Sequence, residues 1–262
     1  FSKMLKSIKN KIEVKIRGLI STKREKFFLD KNNFSVIRDT RFIKLKNHDF
    51  DIVLRSQGSD WDVFKQIFQH EEYKTLLKTI SLNGIELEFI LDLGANIGLT
   101  TAYIKKFHPG AEVICVEPDK NNFAQLSLNI AKLSKIKPIN AGIWNKCTAL
   151  TEDEPFRGGD DWSKTFKEGN GSQLGITEGI TIQHILQQYA KTEIDLLKID
   201  IEGAERFIFD ESISNLNFLT VTKVIAIEIH DEYNIRDKIY TILRNYNFTL
   251  FESGELTIGV KK

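Results

Sequence analysis

Strands and helices that alternate from Ile85 onward predict an α/β protein built on a mostly parallel sheet with helices on both faces. Two further observations point the same way. An apolar run, Phe89 to Leu91, passes through Asp92-Leu-Gly94-Ala-Asn96-Ile-Gly98 into a helical pattern, Leu99 to Phe107. That order of strand, tight turn and helix is how α/β proteins hold nucleotide-like cofactors. A second apolar run, Val113 to Val116, then ends in Glu117-Pro118. With 262 residues and 41% apolar content, the chain can bury one large core and a small additional element.

The N-terminal stretch stands apart. Leu5, Ile8, Ile12, Ile16 and Leu19 recur at helical spacing, with Lys3, Lys6, Lys9, Lys11, Lys15 and Arg17 between them. Residues 1–26 hold nine Lys or Arg against two Glu, so this is a basic amphipathic helix. It fits peripheral contact with an anionic membrane surface or a glycan-assembly complex, and a helix docked on its own domain with lysines facing water is the favoured reading. Phe34 to Ile37, Arg41 to Leu45 and Phe50 to Leu54 alternate, which predicts a small antiparallel lead-in. Residues 1–45 are therefore read as helix and β lead-in, and residues 46–262 as the main domain.

Within that domain, Ser59-Asp60 is placed to cap a helix carrying Val63, Phe64, Ile67 and Phe68. Core strands are expected at Phe89–Leu93, Val113–Val116, Ile139–Ile143, Ile194–Ile199 and Val224–Ile229. A helix is expected over Asn121–Leu133, with Phe123, Leu126, Ile130 and Leu133 on one side. Phe248–Phe251 and Leu256–Val260, joined through Ser253-Gly254, predict a closing hairpin. Residues 144–179 break the rhythm. Gly158, Gly159, Gly169, Gly171, Gly175 and Gly179 exclude a continuous helix there. A flap over the substrate and an added surface hairpin both suit this insertion.

Composition excludes several classes. Beyond residue 26 the chain carries 28 basic and 34 acidic residues, so it offers no sustained basic surface and is not expected to bind nucleic acid. Two cysteines make neither a disulfide framework nor a zinc site. No apolar run approaches transmembrane length, and the expected compartment is the cytoplasm.

The spacing of the turn discriminates between cofactors. A dinucleotide fingerprint reads G-x-G-x-x-G, and here Asn96 takes the middle position while Leu99 follows Gly98. No Gly-Lys-Ser/Thr sequence exists, which excludes a P-loop. Asp92 would repel a phosphate but attract the ammonium and sulfonium charges of S-adenosylmethionine. Gly94 and Gly98 leave the backbone bare for close approach. Glu117, about twenty residues beyond the turn, is placed to accept hydrogen bonds from ribose hydroxyls. Pro118 adjoins it, and Ala141-Gly142-Ile143 make a plausible edge for an adenine pocket, with Trp144 beside them suiting either that edge or the core. The expected cofactor is S-adenosylmethionine. A nicotinamide-dependent oxidoreductase and a catalytically silent binding module of the same architecture are the alternatives.

Asp92-Leu-Gly-Ala-Asn-Ile-Gly98, Val116-Glu-Pro118, Leu197-Lys-Ile-Asp-Ile-Glu-Gly-Ala-Glu205 and Glu228-Ile-His230 together resemble the FkbM-type methyltransferases. Leu54-Arg55, Ser59-Asp60 and Glu72-Tyr73 also fit that pattern, and the resemblance spans about residues 50 to 260. It implies a Rossmann-like class I methyltransferase fold, seven mostly parallel strands ending in an antiparallel hairpin strand. It also implies O-methylation, often of sugars or polyketide-like hydroxyls, and so a glycan or small-metabolite substrate.

In open α/β sheets the site lies beyond the carboxyl ends of the strands. Lys198, Asp200 and Glu202 would share one face if their strand persists that far, and Glu228 and His230 repeat the pattern on the next strand. Charges in a strand buried on both faces need partners or a purpose. For Lys198 an ion pair with Asp200 or Glu228 is one explanation. Asp200 and His230 are the catalytic candidates, and Lys198, Glu202, Glu228 and Arg55, the last paired with Asp60, are candidates for substrate contact or support. The expected reaction is in-line displacement, in which a hydroxyl attacks the sulfonium methyl while a base takes its proton. His230 has the more suitable ordinary pKa, yet a neighbouring carboxylate would hold it protonated and spoil it as a base. Asp200, Glu202, Glu228 and His230 could also bind a hard divalent cation. A hydrogen-bond network is the commoner role of such clusters, and no metal is assigned.

Overall fold

The computed structural model describes residues 23–38, 41–46, 51–153, 165–169 and 177–262. The basic helix expected from the Leu5 to Leu19 pattern and the Asp160-Asp161-Trp162 segment lie outside them.

Helix α1 (Lys23–Lys31) leads into three antiparallel strands, β1 (Ser35–Arg38), β2 (Phe42–Lys46) and β3 (Asp51–Arg55). Ile43, Leu45, Ile52 and Leu54 alternate inward and are fully buried. The expected lead-in is present, and its sheet runs on to Arg55, across position 45. The outer edge of β3 is not left bare. Asn129 Oδ1 accepts the Val53 N–H (2.7 Å), and Gln125 donates to the Val53 carbonyl (2.5 Å). Asn129 also donates to the Ile97 carbonyl at 2.7 Å, which ties the lead-in to the glycine turn.

Helix α2 (Asp60–Phe64) continues into a π-helical turn (Lys65–Gln69) and then α3 (Lys74–Leu82). The expected cap at Ser59 does not form: its side chain makes no capping hydrogen bond. Asp60 instead turns back to accept from the Arg55 backbone N–H at 2.7 Å. Trp61, Phe64 and Phe68 stack in series, with ring centroids 5.3 and 5.0 Å apart, and hold this segment against the domain.

The main sheet has seven strands. They are β4 (Phe89–Leu93), β5 (Glu112–Val116), β6 (Ile136–Ile139), β11 (Ile194–Ile199), β12 (Thr222–Glu228), β13 (Phe248–Ser253) and β14 (Leu256–Lys261). Their spatial order is β13-β14-β12-β11-β4-β5-β6, parallel except that β14 runs antiparallel to both its neighbours. Helices α4 (Leu99–Phe107), α5 (Lys120–Ile130), α6 (Ile182–Gln188), α7 (Glu205–Ile208) and α8 (Arg236–Asn245) lie among the strands in sequence. Successive strand residues enter different cores. Ile90, Val113 and Leu196 join the cluster beneath the lead-in, whereas Leu91, Ile114 and Leu197 join the other. Near-continuous apolar strands are what a sheet covered on both faces requires. The chain order reverses between β4 and β11, so the switch point falls where the glycine turn meets the polar end of β11.

The strands expected at Phe89–Leu93 and Ile194–Ile199 are observed with those bounds. The expected Ile139–Ile143 strand is two strands, β6 and β7 (Gly142–Ile143). The chain leaves the main sheet after Ile139, and β7 pairs in parallel with β10 (Thr177–Ile180) instead. With β8 (Thr148–Glu152) and β9 (Phe166–Glu168) these make a second sheet, ordered β7-β10-β8-β9. The described part of the 144–179 insertion is therefore an added sheet beside the switch point. Helix α5 starts at Lys120, one residue ahead of expectation, because the Asp119 side chain accepts from the N–H groups of Asn121 and Asn122.

Candidate active site

The site begins with a close backbone approach. Gly94 has φ +73°, and a Cβ there would lie 1.6 Å from the Asp200 carbonyl oxygen, so only glycine lets the ends of β4 and β11 meet. Asn96 follows in the left-handed region at φ 49°. Its N–H donates to Glu117 Oε2 and the Asp119 N–H donates to Glu117 Oε1, both at 2.9 Å. These two bonds fix the carboxyl at the tip of β5 beneath the turn. Burial pushes the Glu117 carboxyl up to about 7, against the two N–H groups that favour its ionised form.

Gly94, Asn96, Glu117, Pro118, Ala141 and Gly142 line one cleft. Six of the eight residues expected at the cofactor thus come together. Asp92 and Gly98 do not line it. Asp92 is 0% exposed, accepts from Thr101 Oγ1 at 2.6 Å and faces Lys198 Nζ at 3.4 Å. Its charge is directed at a buried lysine, which corrects the expectation that it faces a sulfonium. Gly98 opens α4 at φ +82°, and a Cβ there would meet Leu126 Cδ1 at 2.8 Å. Its function is to let α4 pack against α5.

The apolar wall includes the expected Ile143, and sequence reading missed Leu150 and Phe166 in it. Ile143, Leu150 and Phe166 of the added sheet line the cleft together with Trp144, whose ring packs 4.3 Å from that of Phe207. Nothing in the pattern around Leu150 or Phe166 marked them, because their sheet pairs are non-local. Asn122 lines the cleft too. Arg55 reaches the cleft only through it, with Nη2 donating to Asn122 Oδ1 at 2.9 Å and pairing with Asp60 at 2.6 Å. That is a supporting role.

A second, larger cavity adjoins the first and shares Gly94, Asn96, Asp200 and Glu202 with it. Strand β11 stops at Ile199, so the expected alternation through Glu202 is not made. Asp200 leaves the strand with its N–H bonded to the Leu93 carbonyl at 3.1 Å, and Glu202 adopts φ 51°. Lys198, 2% exposed, donates to the Gly94 carbonyl at 2.6 Å and lies 3.5 Å from Asp200 Oδ2. Desolvation opposes its charge, but Asp92 and Asp200 outweigh it and hold the ammonium well above the usual lysine range. Lys198 is thus the centre of an internal ion triad, with Asp92 rather than Glu228 as the second carboxylate.

His230 is 1% exposed and lines neither cavity. Its Nε2 lies 3.2 Å from Glu202 and its Nδ1 3.3 Å from Glu205, whose Oε1 also accepts the Ile201 N–H at 3.0 Å. Burial disfavours the imidazolium, yet the two carboxylates prevail and push the ring up to about 11. A ring already protonated at neutral pH cannot take a substrate proton, which corrects the assignment of His230 as a base. It clamps the 200–205 loop instead. Asp200, Glu202 and His230 do bring three ligand-type atoms within 4.8 Å of one another, but the imidazole is committed to carboxylates.

This clamp has a measurable pH signature. The folded-state pKa lies above the ordinary 6.5, so the stabilisation is complete below about 6.5 and fades as pH rises toward 11. His230→Gln should cost about 1.5–3 kcal/mol at pH 6. The gap from wild type should narrow as pH rises from 6.5 and close only above about pH 11 in denaturation midpoints. A gap independent of pH would refute the clamp.

Strand order, the glycine turn and the carboxylate that ends the adjacent strand together define a class I methyltransferase. The match to the family model described as Methyltransferase FkbM domain, over residues 92–250, makes the assignment narrower: the chain belongs to the FkbM methyltransferase family and is a methyltransferase enzyme. Methyltransferase sdnD of Sordaria araneosa is 25% identical, with 62% of this chain and 74% of that protein covered. The 31-O-demethyl-FK506 methyltransferase FkbM of Streptomyces tacrolimicus is 23% identical, covering 64% of this chain and 76% of its own. Among solved structures, a precorrin-6y C5,15-methyltransferase from Geobacter metallireducens has a TM-score of 0.39 at 13% identity, over 72% of this chain and 89% of that one. No helix among the described residues is long and apolar enough to cross a membrane.

Proposed function

We propose that this enzyme is an S-adenosylmethionine-dependent O-methyltransferase acting on a hydroxyl of a glycan or small metabolite. One observation carries the reading: Asp200 lines both the cofactor-type cleft and the larger cavity at the place where they join. The residues suit the donor. Glu117 offers acceptor oxygens to a ribose, and Val116, Pro118, Ile143 and Leu150 give a base an apolar enclosure. The donor brings an already activated methyl group, so holding the acceptor oxygen in line with it supplies much of the acceleration. Asp200 takes the hydroxyl proton. Lys198, through its contacts with Asp200 and the Gly94 carbonyl, keeps the base and the turn in register. An oxygen acceptor is supported by the relative named for 31-O-demethyl-FK506. We place the enzyme in the cytoplasm, and the free Cys115 and Cys147 accord with a reducing compartment.

Calorimetric titration tests the cofactor assignment. S-adenosylmethionine should bind and NAD should not. Glu117→Ala should weaken binding by about 1.5–3 kcal/mol, the contribution of a hydrogen bond to a charged group. Because the Glu117 carboxyl titrates near 7, wild-type affinity should rise between pH 6 and 8 as the better acceptor forms, and Glu117→Gln should be flat there. Unchanged affinity in Glu117→Ala would remove the ribose assignment, and NAD binding in place of the methyl donor would sink the reading.

A further inference from the structure

We infer that this enzyme docks on an anionic phospholipid bilayer through the outward face of α1 and the basic stretch that precedes it. The inference stands apart from the methyltransferase chemistry and from the identity of the acceptor.

Helix α1 commits one face to the domain. Leu29 is buried, and the Phe28 ring meets that of Phe64 edge-on with centroids 6.2 Å apart. The buried Glu25 carboxylate accepts from Trp61 Nε1 at 3.5 Å. The other face carries Phe27, which is 68% exposed, and Lys26, Asp30 and Lys31 around it are exposed as well. No phenylalanine among the described residues is more exposed than Phe27. A lone apolar side chain at the surface is ordinary. What sets this one apart is the sequence that leads up to it.

Nine of the first 26 residues are Lys or Arg and two are Glu, and one of those acids, Glu25, is turned inward to Trp61. Beyond residue 26 the balance reverses, with 28 basic and 34 acidic residues, so the positive charge is concentrated at this end. At about 100° per residue, Leu5, Ile8, Ile12, Ile16 and Leu19 form one narrow stripe, Lys9 and Lys15 flank it, and Lys3, Lys6 and Arg17 fall on the far side. Flanking lysines lay their stems along an apolar surface and keep the ammonium among polar headgroups.

The partner is chosen by what uses all of these features. A helix docked on its own domain uses the stripe and leaves the bases and Phe27 without a role. A nucleic acid uses the bases and leaves the stripe in water. An anionic bilayer engages stripe, ring and bases together: the acyl boundary takes the apolar side chains, and the headgroup phosphates take the cations.

Co-sedimentation of the full chain with vesicles tests this. Phosphatidylcholine vesicles with about 30% phosphatidylglycerol should bind at least about tenfold more tightly than phosphatidylcholine alone, and raising salt from about 0.1 to about 0.5 M should release most of the protein. Phe27→Ser should weaken binding about five- to tenfold at unchanged melting temperature, since the ring makes its contact only on the bilayer. Lys3→Glu/Lys6→Glu/Lys9→Glu and Ile12→Asp/Ile16→Asp should each abolish it. Binding to neither vesicle, or equally to both, overturns the proposal. Tighter binding to a DNA duplex of about 20 base pairs than to the anionic vesicles does the same. Vesicle binding that survives Ile12→Asp/Ile16→Asp also overturns it, and a lowered melting temperature in that variant would then seat the stripe on the domain.

Discussion

Replacing Lys198 with Met should lower folding stability by about 3–5 kcal/mol, the usual cost of removing one partner from a buried ion pair. The side chain is 2% exposed, and the Asp92 carboxylate it faces is 0% exposed. Without the ammonium, Asp92 retains only the Thr101 hydroxyl at 2.6 Å, and the Gly94 carbonyl loses the 2.6 Å donor that fixes it. Methionine fills a similar volume, so cavity formation contributes little. Adding Asp92→Asn to that background should recover part of the loss, because the stranded charge is removed along with its partner. Urea denaturation of the single and double variants measures both effects. A single variant as stable as wild type would show that the triad holds nothing together.

Asp200→Asn should lower kcat by about 10²- to 10⁴-fold, the range for loss of a general base, with cofactor affinity nearly unchanged. Asparagine keeps the shape of the loop but cannot accept the hydroxyl proton. His230→Gln provides the contrast. It should also slow turnover by loosening the 200–205 loop, yet the shape of its pH–rate profile should match wild type, since the imidazolium transfers no proton. Loss of the acidic limb in His230→Gln, together with its retention in Asp200→Asn, would reverse the two roles.

The parts of the molecule legible in the chain were those fixed by neighbours in sequence. Strands β4 and β11 followed from apolar runs bounded by glycine or charge. The turn at Gly94 and Asn96 and the acid at Glu117 followed from spacing alone, since the stretch from turn to second strand end is a local unit. Residues whose partners are distant were misread. Asp92 looked like a cofactor contact because its register partner Lys198 sits more than a hundred residues away. For His230 the sequence left a base and a carboxylate-held imidazolium both open, because the carboxylates that hold it, Glu202 and Glu205, come from another strand's end. Strand β7 was merged with β6 since only Asn140 and Ala141 lie between them in the chain, and pairing with β10 is what separates them. The apolar wall from Leu150 and Phe166 arises from the same long-range pairing.

Asn129 acts as a strut with two feet. One carboxamide atom meets Val53 in the lead-in and the other meets Ile97 in the glycine turn. The lead-in therefore cannot be treated as a dispensable leader ahead of the catalytic unit. Shortening the chain to begin beyond Arg55 would strip one footing from that strut, and the glycine turn would lose its brace from the far side.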